Sequence, residues 1–185
     1  MRRKPALTLS VLALTLAFGV AGCSSDSPAA PELDASAASG PTISGDGYSY
    51  SVPEGWEEQD SSLAPGSDTV AIDLAATGDF ANNINVIPSP SGAFDADEVE
   101  ETVVAELEDA GASNVEVLDR LTIAEAESAH ISADMSLEGV EYRVHQYYLT
   151  NDDQTYVVTF SYNVDESDED AVEIAESVLA SWSWS

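Results

Sequence analysis

Tyr48-Ser49-Tyr50-Ser51-Val52 alternates bulky and small side chains, the two-residue period of a strand. Pro53-Glu54-Gly55 then turns the chain, and Trp56 opens the next segment. Thr69 to Ala76 and Asn83 to Ile87 are further expected strands, the first placing Val70, Ile72 and Leu74 on one face. From Asp95 to Ala110 the period lengthens to that of a helix. Val99, Val103, Leu107 and Ala110 fall on one stripe, and acidic residues cover the opposite face. Asp95 can cap this helix with Glu98 three residues on, and Gly111 supplies a stop. Val115 to Ile123 returns to strand.

Two hairpins follow. Glu138-Gly139 suits a two-residue turn, which pairs Leu137 with Val140 and Asp134 with Arg143. Asn151 to Gln154 turns the chain again and pairs Leu149 with Tyr156. A last helix is expected from about Glu169 to Ser181. Ser167 is its cap, and Asp168, Glu169 and Asp170 favour the positive helix N-terminus. Ala171, Ala175, Val178 and Trp182 form its core stripe. Trp182-Ser183-Trp184-Ser185 alternates once more and suggests a short closing strand. The order β-β-β-β-α-β-β-β-β-α, with antiparallel hairpins, predicts an α+β domain in which helices pack on one antiparallel sheet. It spans residues 42–185, enough chain to bury a core as a single domain.

The first 41 residues read differently. Arg2-Arg3-Lys4 is followed by an apolar run from Ala6 to Val20. As a helix that run is roughly 22 Å long, short of the ~30 Å hydrocarbon core of a bilayer. Cationic start, short apolar stretch and small residues together have the layout of a secretory signal peptide. The small residues end at Cys23, the single cysteine of the chain. Val20-Ala21-Gly22-Cys23 resembles the bacterial lipobox. That resemblance implies a diacylglyceryl thioether on Cys23 and removal of residues 1–22. Two acyl chains hold a protein on a membrane stably where one does so only marginally. A nucleophilic role for Cys23 would need a base and a shaped site, which its neighbours do not offer. Residues 23–41, rich in Ser, Ala and Pro, bury too little surface to offset their ordering entropy and are expected to form a flexible tether.

An extended Y-S-Y-S-V leading into P-E-G-W, a central helix, long hairpins and a C-terminal helix ending in S-W-S-W resemble the PsbP/Mog1-like α/β/α sandwich. With the lipobox, the tether and Asn83-Ile84-Asn85-Val86, the chain resembles the actinobacterial LpqN-type lipoproteins. The resemblance implies a non-enzymatic, extracytoplasmic protein, anchored to the cell membrane by lipid and associated with other envelope components. It supplies no catalytic residue.

Charge narrows the partners. All 35 acidic residues lie beyond Cys23, where only Arg120 and Arg143 oppose them. Such a surface repels phosphate backbones and anionic headgroups, which excludes nucleic acid and leaves membrane attachment to the lipid on Cys23. The same acidity serves as a solvated surface or as a match for a cationic partner. The oligomeric state is not legible.

Catalytic motifs are missing: there is no G-x-S-x-G, no phosphate-binding glycine loop and no C-x-x-C. Asp165 to Asp170 is acidic enough for a calcium loop but lacks the required glycine, and reads as a helix start. The proposed register places His130 and His145 on one face at diagonal positions, with Asp134, Glu141 and Arg143 beside them. Hydrogen-bonded packing and a small polar or metal site are the two readings, and a structural metal wants four close ligands. No metal, cofactor or catalysis is therefore expected. Two functions stand against each other. One is a binding module for an envelope protein, with Trp184 as contact if it is exposed. The other is a carrier of a small or lipidic ligand, in a pocket between sheet and helix lined by Tyr147, Tyr156, Phe160 and Tyr162.

Overall fold

The computed structural model describes residues 29–76, 80–151 and 153–185. Its strands are β1 (Thr42–Ser44), β2 (Tyr48–Ser51), β3 (Trp56–Gln59), β4 (Thr69–Asp73) and β5 (Asn83–Pro88). Helix α1 (Ala96–Asp109) follows, then β6 (Ser113–Ile123), β7 (Ala126–Leu137), β8 (Val140–Thr150) and β9 (Thr155–Asn163). Helix α2 (Asp168–Leu179) and β10 (Ser183–Trp184) complete the chain.

Two antiparallel sheets form where one was expected. Seven strands run in the order β3-β4-β5-β9-β8-β7-β6, and β1-β2-β10 make a separate small sheet. The split comes from a pairing between distant segments: Tyr48 lies opposite Trp184, and Ser49 opposite Ser183. Expected strand Thr69 to Ala76 ends at Asp73, so Leu74 is exposed in the following turn rather than lying beside Val70 and Ile72.

Alternation along β8 decides which helix each side chain meets. Tyr147 and Leu149 point into a core completed by α2 and the small sheet. Tyr148 points the other way, toward Val99 and Val103 of α1, with Ala129 and Ile131 beneath them. Helices thus cover both faces of the large sheet. Local chemistry sets both helix starts. Asp95 and Glu98 form a reciprocal capping box on α1, and the Ser167 side chain accepts from Asp170 N–H at α2. Of the expected α1 stripe, Val99 and Val103 are buried, Leu107 is half-buried and Ala110 is exposed where the helix runs past the sheet. No described helix is long and apolar enough to cross a membrane.

The hairpin registers are those of the sequence reading: Leu137 faces Val140, Asp134 faces Arg143 and Leu149 faces Tyr156. Glu138 and Gly139 both take positive φ, 52° and 87°, as a type I′ turn needs. The β6–β7 turn does the same without glycine: Ala124 has φ 50° and Glu125 φ 70°. A side chain in this region costs about 1–2 kcal/mol. Glu125→Gly is therefore expected to raise stability by about 1 kcal/mol net of the extra freedom glycine has when unfolded, measured by urea denaturation.

Residues 30–40, expected in the flexible tether, lie along the domain instead. Thr122 N–H donates to the Pro31 carbonyl at 2.8 Å, Leu33 N–H to the Thr122 carbonyl at 3.2 Å and the Thr122 hydroxyl to the Ala30 carbonyl at 2.8 Å. Farther on, Ala38 N–H donates to the Ser177 carbonyl at 2.8 Å. The edge of β6 and the last turn of α2 offer unpaired backbone groups, and Leu33 and Ala38 pack on the core, so a segment with little aliphatic bulk still finds partners. The expected leader, Cys23 and the first residues of the expected tether lie outside the described residues.

Candidate functional site

The site is built on the α2 side of β7 and β8. Cross-strand pairing sets His130 opposite Tyr147 and His145 opposite Ser132, so the two imidazoles meet on the diagonal. His130 Nε2 and His145 Nδ1 lie 3.0 Å apart, and the His130 ring stacks on Tyr147 at 4.1 Å. Both histidines are buried. Burial holds the pKa of His130 down to about 3, with the neighbouring His145 adding to the effect. Burial also lowers His145; Asp168 opposes that shift and Arg143 reinforces it. A neutral pair sharing one N–H is the state this environment favours.

Arg143 frames the pair from the open side. Its Nε donates to Asp134 at 2.9 Å and its Nη1 to Asp168, joining β8 to β7 and to the first turn of α2. Asn114 donates to the other Asp134 oxygen at 2.8 Å. These donors hold the Asp134 carboxyl below the usual carboxylate range, Asn114 first. A cleft of about 390 Å³ opens here between β6–β8 and α2, and His145 forms part of its wall. His145 Nε2 is buried without a partner. The other arginine of the described residues is committed to packing. Arg120 reaches Glu100 at 2.6 Å, Asp97 at 2.5 Å and Glu127 at 3.0 Å, clamping α1 onto β6 and β7. Among the described residues, no group of three or more His, Cys, Asp or Glu side chains stands close enough to hold a metal ion.

The aromatic residues expected to line a pocket are core instead. Tyr147, Phe160 and Tyr162 are at most 1% exposed and pack with Ala171, Ala175 and Val178 of α2. Alanines let that helix sit close to the sheet, which closes the space a ligand would need. Desolvation raises the pKa of both Tyr147 and Tyr162, whose hydroxyls find no partner. Tyr156 donates to the Asp46 carbonyl at 2.8 Å, tying β9 to the β1–β2 turn. Trp184 is half-buried, edge-on to Trp182 at 5.5 Å and tilted against Tyr156 at 5.7 Å. Its ring closes the small sheet rather than standing free.

A second cleft, not anticipated from the sequence, lies on the opposite face of the large sheet. It has a volume of about 490 Å³ between α1 and strands β5, β8 and β9. Phe94, Val103, Tyr148 and Val157 give it an apolar floor, and Glu101 and Glu106 stand on its rim. The local signal was present in β9, whose run Tyr156-Val157-Val158 is apolar on both faces. A central strand with two apolar faces must have something on each.

Neither a family model nor a curated protein matches this sequence. Solved structures match it by fold. The chain is similar to LpqN of Mycobacterium tuberculosis, described as involved in cell envelope biogenesis, with a TM-score of 0.55 and 15% identity over 77% of this chain and 86% of LpqN. It is similar to a crystal structure from Bacteroides thetaiotaomicron with a TM-score of 0.50 and 17% identity over 79% of this chain. The chain spans about half of that protein's length, 48%. The solution structure of cyanobacterial PsbP from Synechocystis aligns over 78% of this chain and 92% of its own at 21% identity, with a TM-score of 0.49. The likeness to LpqN establishes the fold class: an α+β domain of the LpqN kind, an antiparallel sheet with a helix on each face.

Proposed function

We propose that this protein is a lipid-anchored bacterial envelope protein whose domain is a non-catalytic binding module, and that the α1 cleft receives a basic, amphipathic segment of an envelope protein. The lipobox-like Val20-Ala21-Gly22-Cys23 and the fold shared with an envelope-biogenesis protein support the location. The observation that carries the binding role is the cleft itself. An apolar floor under a carboxylate rim is the complement of a segment with apolar residues on one side and Lys or Arg on the other. The whole chain carries a formal charge of −30, which steers such a partner toward it. A small or lipidic ligand is the second reading, favoured by a cleft volume within the range of small-molecule sites.

The test places a photo-crosslinker at Thr102, on the rim, in the full chain in its native membrane. The expected product joins Thr102 to a basic amphipathic segment, mapped by mass spectrometry. The double reversal Glu101→Lys/Glu106→Lys is expected to cut its yield at least tenfold without changing the circular dichroism spectrum. An unchanged yield sinks the docking proposal. A lipid that co-purifies with the domain in native mass spectrometry, with no crosslink, replaces it with the second reading. Separately, Cys23→Ala is expected to move the protein out of the membrane fraction; unchanged fractionation refutes the anchor.

A further inference from the structure

We propose that the cleft beside His145 binds a small organic ammonium compound, whose N–H groups are shared between His145 Nε2 and the surrounding carboxylates. This site lies on the α2 side of the sheet and is independent of the docking cleft at α1. His145 is 3% exposed, its Nδ1 is engaged by His130 and its Nε2 has no protein partner. A buried polar atom left this way costs free energy unless something outside the chain completes it. His145 is one of the residues that line the cleft, so a group seated there lies against the imidazole that carries this covered, unpartnered atom.

Charge decides the class of that group. Asp134, Asp168 and Glu116 contribute carboxylates to the cleft, against one guanidinium, that of Arg143. Arg143 already binds two of those carboxylates, so an anion entering here would meet excess negative charge and only part of a cation. A metal ion would want three or more side-chain donors together, a grouping not found among the described residues. An ammonium group suits both features. It donates in several directions, and a neutral imidazole with its proton on Nδ1 presents a lone pair at Nε2. In that tautomer His145 Nδ1–H donates to His130 Nε2, in keeping with their 3.0 Å separation. Leu118 and Val172 leave an apolar wall for the carbon part of the ligand.

Titration of the full chain, labelled with ¹⁵N-histidine, with n-butylamine at neutral pH and physiological salt tests this. The expected result is a saturable shift of the His145 Nε2 signal and a shift of the pair toward the Nδ1–H tautomer. Tetramethylammonium has the same charge and no N–H, and is expected to bind about tenfold more weakly, the factor that one lost hydrogen bond represents. His145→Phe, which keeps a flat ring, is expected to lose at least as much affinity. Should that variant misfold, Glu116→Gln, at an exposed position, is expected to keep the fold and still weaken butylamine. Equal binding of the two cations overturns the proposal, as do shifts that never saturate, because either result describes diffuse attraction to an acidic surface.

Discussion

Trp182→Ala will destabilise the domain by about 3–5 kcal/mol, the range for deleting a large aromatic side chain from a packed core. Trp182 is 6% exposed and lies between elements far apart in sequence. Its ring stacks on Tyr48 at 4.5 Å with 5° between planes and on Tyr50 at 5.7 Å with 3°. Trp184 meets it edge-on, and Tyr156 leans toward it from β9. Removal of the indole therefore opens a cavity where α2, the small sheet and the large sheet converge. The backbone cannot close it, because Ser181 is fixed to Ser51 through Ser51 N–H at 2.7 Å and β10 is paired with β2. Natural domains have only about 5–15 kcal/mol to lose, so the variant should be partly unfolded at physiological temperature. Trp182→Phe is the informative comparison. It keeps most of the stacking and deletes the indole N–H, which is buried without a partner. Its cost should be about 1–2 kcal/mol, because loss of that orphan donor offsets part of the lost contact. Urea titrations followed by circular dichroism measure both. A Trp182→Ala midpoint close to that of the wild type would show that this ring does not join the layers.

Two kinds of information were present in the sequence to unequal degrees. Pairings closed by a short turn were legible, because turn chemistry and side-chain alternation act over a few residues. Glu138-Gly139 fixes the β7–β8 register, and that register brings His130 to His145. Helix starts were legible for the same reason, through Asp95 with Glu98 and through Ser167. Contacts between distant segments left little trace. Tyr48-Ser49 and Ser183-Trp184 alternate as strands do, but nothing local says that they pair with one another in a sheet of their own. Packing density was equally hidden. The sequence shows that Tyr147, Phe160 and Tyr162 share a face; it does not show that Ala171 and Ala175 bring α2 down onto them. The same blindness conceals the α1 cleft, which opens where α1 packs on β6 and β7 and leaves the same face of β5, β8 and β9 partly uncovered. Docking of residues 30–40 runs mainly through backbone groups, with only Leu33 and Ala38 packing on the core, and so leaves little side-chain pattern to read.

Acidification from pH 7.5 to 5 will cost about 2 kcal/mol of stability through His130 alone, with His145 adding in the same direction. An ordinary histidine, as in the unfolded chain, has a pKa near 6.5, and His130 in the fold has one of about 3. The folded value is the lower, so the unfolded chain binds the proton first. The stabilisation is thus complete above pH 6.5 and is lost as pH falls through 6.5 toward 3. The steepest part has a slope of about 1.4 kcal/mol per pH unit for His130. Facing groups modulate the effect without reversing it. Arg143 helps keep His145 neutral, and Asp168 partly favours its proton. Glu176 on α2 acts in the opposite sense, because desolvation raises its pKa and lets the fold take up a proton early. The interval from 6.5 to 5 lies just below the pKa of an ordinary histidine, so the two imidazoles act there. Urea midpoints across that interval should fall steadily. In the double variant His130→Gln/His145→Gln the slope should flatten, whatever the variant's absolute stability. If the slope survives the double substitution, the acid sensitivity resides elsewhere. If it flattens, the neutral histidine pair is the part of this acidic domain that senses mild acid, because protonation there places charge inside the core.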